Sequence, residues 1–228
     1  MKNKILLLHG ALGNKNQMKP FAELLADRFE VHSFDFSGHG SNAMNGTMMS
    51  MNNLAQDILH FISNHGHDPF HFFGYSMGGY AALTAAIRRP ELFRTITTLG
   101  TKFNWTAETA TAETKFLDPE KMELKVPQFA KTLSDLQAPA DWKEVVKKTR
   151  DMMIQLGQEP TADPTILKSK GISIQILVGE HDQTAGVEAS QEFASQCGAD
   201  FIVIPSTPHP LDKVDPAIIT EKIHSFIP

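Results

Sequence analysis

The sequence predicts an α/β protein whose mostly parallel sheet is covered by helices on both faces. Short apolar runs rich in β-branched and aromatic residues recur along the chain, each bounded by turn residues. Segments with helical patterning separate most of them, and strand alternating with helix is the signature of a parallel sheet. The alternation breaks once, where a long polar, helical stretch intervenes between two of the runs.

The strands are expected at 5–8, 31–36, 70–73, 95–99, 172–178 and 201–204, short enough to be buried strands rather than helices. Helices are expected near 17–28, 51–64, 77–89, 186–196 and 216–226. The break in alternation falls after residue 101. Asp118-Pro119-Glu120 and Pro139-Ala140-Asp141-Trp142 read there as helix starts, because Pro suits a first turn. The expected organisation is a core of residues 1–101 and 160–228, with a helical cap, 102–159, inserted between core strands. The cap's apolar residues, among them Phe103, Trp105, Phe116, Phe129, Met152 and Met153, either line a ligand cavity against the sheet or form the cap's own core.

Composition narrows the function. The 228 residues are 41% hydrophobic, enough for a substantial core, and carry a formal charge of −5 with no long basic run. Neither nucleic acid nor an anionic membrane is the expected partner; a small molecule is. The apolar run after Met1-Lys2-Asn3-Lys4 is too short for a secretory signal, and Cys197 has no second cysteine to pair with, so a cytoplasmic protein is expected. The cluster His65-Gly66-His67-Asp68 lacks further spaced ligands and reads as a loop rather than a metal site. Met44, Met48, Met49 and Met51 read as adaptable packing. No cofactor is expected, and oligomeric state is open.

The chemistry concentrates at Gly74-Tyr75-Ser76-Met77-Gly78. A strand runs into it and an alanine-rich helix leaves it, so Ser76 occupies a sharp corner that lifts its hydroxyl out of the core. A serine hydroxyl needs a histidine base and a group to orient that base, both just beyond the ends of later strands. Asp182 follows the 172–178 run and His209 follows the 201–204 run. Glu180 and His181 flank Asp182 on an irregular loop, and His224 falls inside the last helix. The 95–99 run is followed by Gly100-Thr101-Lys102, which holds no carboxylate. Two backbone N–H groups are needed for an oxyanion: that of Met77, and that of Ala11 after the first strand, with Leu12 the lesser choice.

These residues resemble the α/β-hydrolase superfamily, in its branch with a short helical cap. The order Ser76, Asp182, His209 is the family's order, and His9-Gly10, Asp35-Phe36-Ser37-Gly38-His39-Gly40-Ser41 and Gly179-Glu180-His181-Asp182 add to the likeness. It runs from about residue 5 to 226. The resemblance implies an α/β-hydrolase fold of about six strands, with Asp35 and His39 structural. It departs in lacking the two strands that often precede the His-Gly loop, and in having Pro208 before His209. Serine at 76 argues against the branches with a carboxylate nucleophile. The expected activity is hydrolysis of a small ester or thioester, with Tyr80, Phe103, Trp105 and Met152 around the substrate. The alternatives are a menaquinone-pathway-like lyase using the triad for proton abstraction, or a ligand-binding receptor on the same fold. In the lyase an arginine stands where this chain has Tyr80.

Overall fold

A computed structural model describes residues 2–42, 48–66 and 68–228; Met44 and His67 lie outside them. Six parallel strands form one sheet in the order β2-β1-β3-β4-β5-β6. They are β1 (Asn3–Leu8), β2 (Phe29–Ser33), β3 (Phe70–Tyr75), β4 (Phe93–Leu99), β5 (Ser173–His181) and β6 (Asp200–Pro208). The chain moves outward from β1 to β2 and then returns past β1 to β3. This reversal opens a crevice at the carboxyl ends of β1 and β3, where ligands bind in sheets of this kind.

Alternation along each strand divides the interior. Leu6, Leu8, Phe70, Phe72, Ile96 and Ile176 pack with α2 (Met51–Asn64), α3 (Met77–Arg88), α8 (Pro164–Lys170) and α9 (Val187–Cys197). Ile5, Leu7, Phe73, Leu99 and Leu177 face α1 (Lys19–Leu25) and α10 (Pro216–Phe226) instead. Both faces are therefore apolar, and β3 is buried at every residue.

Two expected elements shift. The second strand begins at Phe29 rather than 31 and ends at Ser33. Phe34 to Phe36 leave the sheet because the next turn is held by side chains: the Phe36 N–H donates to His9 Nε2 at 3.1 Å, and Asp35 Oδ1 accepts from the Lys15 N–H at 2.7 Å. The first helix is correspondingly shorter than 17–28, a 3₁₀ turn at Lys15–Met18 leading into α1. Arg28 lies beyond it and donates to the His224 and Ile227 carbonyls. The α8 helix was not expected, although Asp163-Pro164 carries the same start signal as Asp118-Pro119. Asp163 accepts from the Thr165 and Ile166 N–H groups.

Between β4 and β5 lie α4 (Ala107–Thr114), α5 (Pro119–Lys125), α6 (Pro127–Gln137) and α7 (Trp142–Gln158). Met122, Ala130, Leu133, Trp142 and Val146 form a small core of their own. Among the described residues, no helix is long and apolar enough to cross a membrane.

Candidate active site

Sheet register builds the site. Tyr75 pairs with Leu99 and Leu8 with Gly74, so Ser76, Gly100 and His9 leave neighbouring strands at the same edge. Ser76 joins β3 to α3 with φ 50° and ψ −115°, a conformation costly for a residue with a Cβ. Its N–H donates to the Leu99 carbonyl at 2.8 Å, and its carbonyl accepts from the Thr101 hydroxyl at 3.0 Å. Glycine is required beside it. A Cβ at Gly74 would sit 2.4 Å from the Gly79 nitrogen, and one at Gly78 2.6 Å from the Leu8 oxygen.

The other two candidate residues meet through the last strand pair. His181 on β5 pairs with Pro208 on β6, so the next residues, Asp182 and His209, emerge side by side. His209 Nδ1 lies 3.0 and 2.9 Å from the two Asp182 carboxylate oxygens. Asp182 is 4% exposed. Its Oδ1 also accepts from the Thr184 and Ala185 N–H groups, at 3.0 and 2.8 Å, which offsets the loss of water. The Tyr75 hydroxyl donates to the His209 carbonyl at 2.9 Å, and burial pushes its pKa far above the usual phenol range. Gly100 has φ 60°, and a Cβ there would lie 2.9 Å from Asp182 Oδ2 and 3.3 Å from His209 Nδ1. Among the described residues no hydrogen bond joins the Ser76 hydroxyl to His209, whose Nδ1 is engaged by Asp182.

The rivals go elsewhere. Glu180 is exposed and accepts from the Ser206 N–H, His181 is exposed at the end of β5, and His224 stacks on Phe29.

The loop after β1 is a turn closed by the Gly13 N–H on the Gly10 carbonyl at 3.1 Å. Ala11 and Leu12 are its corners, and Leu12 has φ 59°. Among the described residues the Ala11 N–H donates to no group, and that of Met77, first in α3, has no intrahelical partner. Gln137, at the end of α6 and 1% exposed, fastens this turn. Its Nε2 donates to the Leu12 and Gly13 carbonyls at 2.7 and 3.1 Å, and its Oε1 accepts from the Gly40 N–H at 2.8 Å. Asn14 Nδ2 adds a bond to the Leu136 carbonyl at 2.8 Å.

Beneath the turn lie two buried histidines. His9 Nδ1 bonds the Gly10 carbonyl at 2.8 Å and its Nε2 accepts from Phe36, which defines one neutral tautomer. Burial lowers its pKa to about 4. Burial, and then the neighbouring His9, lower that of His39 to about 3. The Ser37 backbone approaches the His39 ring without reaching hydrogen-bond geometry, and among the described residues neither ring nitrogen has a partner. Asp35 anchors the turn above. Burial alone would raise its pKa, but bonds from Lys15 and Ser41 outweigh it and the net shift is downward.

A narrow cavity of about 40 Å³ opens at Ser76 and Met77. Tyr80, Trp105 and Met152 line it, with Met51, Met153 and Leu156. Phe103 does not: it stacks on Phe193 with ring centroids 4.0 Å apart, drawn away by the face that α9 offers. Phe116 is 79% exposed and lines nothing here, while Phe129 borders a separate open groove that includes His209 and Leu211. The sequence reading missed Lys102, Glu113 and Thr184, which also line the cavity. For Lys102 the sequence carries a signal, its place directly after a strand end.

A family model described as the alpha/beta hydrolase fold matches residues 3–137. Among curated proteins, 2-(acetamidomethylene)succinate hydrolase of Mesorhizobium japonicum is 24% identical over 251 residues, covering 98% of this chain and 87% of the relative. Ethanol acetyltransferase 1 of Kluyveromyces lactis is 32% identical over 91 residues, 39% of this chain; the match spans only 24% of that relative's length. In solved structures, the fold is shared with a thermophilic esterase from Thermogutta terrifontis, at TM-score 0.75 and 19% identity over 100% of this chain and 90% of the other. MenH from S. aureus gives 0.78 and 21%, over 100% and 94%. With six parallel strands, the serine corner after β3 and a family match over more than half its length, the chain belongs to the alpha/beta hydrolase fold family.

Proposed function

We propose that this chain is a serine hydrolase of small carboxylic esters or thioesters, working through Ser76, His209 and Asp182. The observation that carries the reading is the Asp182–His209 pair at one sheet edge with a positive-φ serine. His209 Nε2 would take the Ser76 proton as Oγ attacks the acyl carbon, and Asp182 would hold the imidazole with Nδ1 protonated. The Ala11 and Met77 N–H groups would receive the oxyanion. As the acyl–oxygen or acyl–sulfur bond breaks, the leaving group takes the proton from His209. Water activated by the same base then splits the acyl-serine. Residues 102–159 act as a cap whose α7 side chains close the acyl cavity. The relatives support acyl chemistry: one is by name a hydrolase, another an acetyltransferase.

The test is hydrolysis of p-nitrophenyl acetate and butyrate. Ser76→Ala should lower kcat at least about 10³-fold with the fold intact. Undiminished activity in that variant would overturn the assignment.

A further inference from the structure

We infer that Lys102 makes the Ser76 cavity a site for short acyl chains ending in a carboxylate, so that preferred substrates are half-esters or half-thioesters of small dicarboxylic acids. The inference rests on the serine-hydrolase reading and names its acyl group.

Lys102 is anchored next to the nucleophile corner, because the preceding Thr101 hydroxyl bonds the Ser76 carbonyl. Its side chain is only 11% exposed and lines the same cavity as Ser76. The ammonium lies 5.7 Å from the centroid of the Trp105 ring, and Trp105 Nε1 donates back to the Lys102 carbonyl at 3.0 Å. An ammonium has three N–H donors. One reaches the Thr184 carbonyl at 3.3 Å, while Glu113 Oε1 stands 3.3 Å from the nitrogen as an ion pair without hydrogen-bond alignment. Both distances exceed the roughly 2.7–2.9 Å of a tight charge-assisted bond. Among the described residues the other two donors have no hydrogen-bond acceptor.

A largely desolvated cation with loose partners gains most from an anion that can come closer. Apart from Lys102, Glu113, Thr184 and Ser76, the lining is dominated by methionine, leucine and aromatic side chains. A neutral acyl tail leaves Lys102 as it stands, whereas a terminal carboxylate adds a short ionic bond. Glu113, with 28% of its side chain exposed, competes for the same ammonium and repels the incoming anion. The two side chains therefore push selectivity in opposite directions. The small volume restricts the tail to a few methylenes.

The test compares monoethyl succinate, glutarate and adipate with ethyl butyrate, pentanoate and hexanoate, following released ethanol. At the best chain length the anionic ester should show at least about tenfold higher kcat/KM than its neutral counterpart. Lys102→Met should lower that ratio about 10- to 100-fold, chiefly through KM, and Glu113→Gln should raise it. Calorimetric binding of monoethyl glutarate to Ser76→Ala, with and without Lys102→Met, reads the same contact without turnover. A flat ratio, a ratio indifferent to Lys102→Met, or unaltered binding would overturn the inference. Fluorophosphonate labelling of Ser76 separates the two levels: labelling with a flat ratio sinks only the role of Lys102, and absence of labelling sinks the hydrolase reading with it.

Discussion

Replacing Gln137 by methionine keeps the length of the side chain and removes both amide atoms by which it fastens the turn after β1. Three main-chain groups lose a partner: the Leu12 and Gly13 carbonyls and the Gly40 N–H. Gly13 and Gly40 are buried and Leu12 is half-buried, so water does not freely replace the amide. Each buried group left unpaired costs about 1–3 kcal/mol. The Gly13 carbonyl loses the weakest bond, so about 2–6 kcal/mol is expected in all. For a chain of this size each kcal/mol moves Tm by about 2–4 °C, and a fall of roughly 4–24 °C follows. The functional effect has its own signature. Leu12 would lose the bond that holds it at positive φ, and the adjacent Ala11 N–H would lose its aim. Since that N–H is proposed to bind the oxyanion rather than the ground-state ester, kcat should fall about tenfold or more while KM changes little. Differential scanning calorimetry and steady-state kinetics on p-nitrophenyl butyrate measure both. A Tm within 2 °C of wild type (well below the roughly 4 °C minimum expected) together with unchanged kcat would refute the reasoning.

Gly100→Ala places a methyl 2.9 Å from the Asp182 carboxylate at φ 60°. It should cut kcat through displacement of the Asp182–His209 pair, and an unchanged kcat would show that the contact relaxes harmlessly. Asp182→Asn should lower kcat about 10³-fold or more by offering an amide where Nδ1–H needs an acceptor; full activity would remove Asp182 from the mechanism. Acid should destabilise the fold through His9 and His39. Their folded pKa values, about 4 and about 3, lie below the ordinary 6.5, so the unfolded chain binds protons that the folded one refuses. Stability is therefore complete above pH 6.5 and falls by about 1.4 kcal/mol per pH unit per histidine down to about pH 4. Urea melts at pH 7 and 5 should show a smaller drop for His39→Leu than for wild type; equal drops would contradict it.

Strands, helices and strand-end residues were legible because they depend on local pattern. Ser76, Asp182 and His209 all stand just past apolar runs, and chain order did the rest. What escaped depends on partners far away in sequence. Gln137 looks like any polar residue at a helix end until α6 is laid across the β1 turn. Phe103 looks like a pocket residue until Phe193 offers it a face. The start of β2 was missed because Phe29 follows helix-like residues, and its place is decided by pairing with Asn3. Lys102 and Glu113 become partners only when α4 folds back over the end of β4.

The pairing of His181 with Pro208 also bears on when the protein acquires its chemistry during synthesis. The strained serine corner needs only β1, β3 and β4, all complete by Leu99. The Asp182–His209 bond cannot exist until β6, the final strand in the chain, has emerged and docked on β5. Between the completion of Leu99 and the addition of Asp182 a nascent chain therefore carries the corner with neither the carboxylate nor the imidazole of the candidate site. A product terminated after Asp182 and before Asp200 carries the corner and the carboxylate without the imidazole.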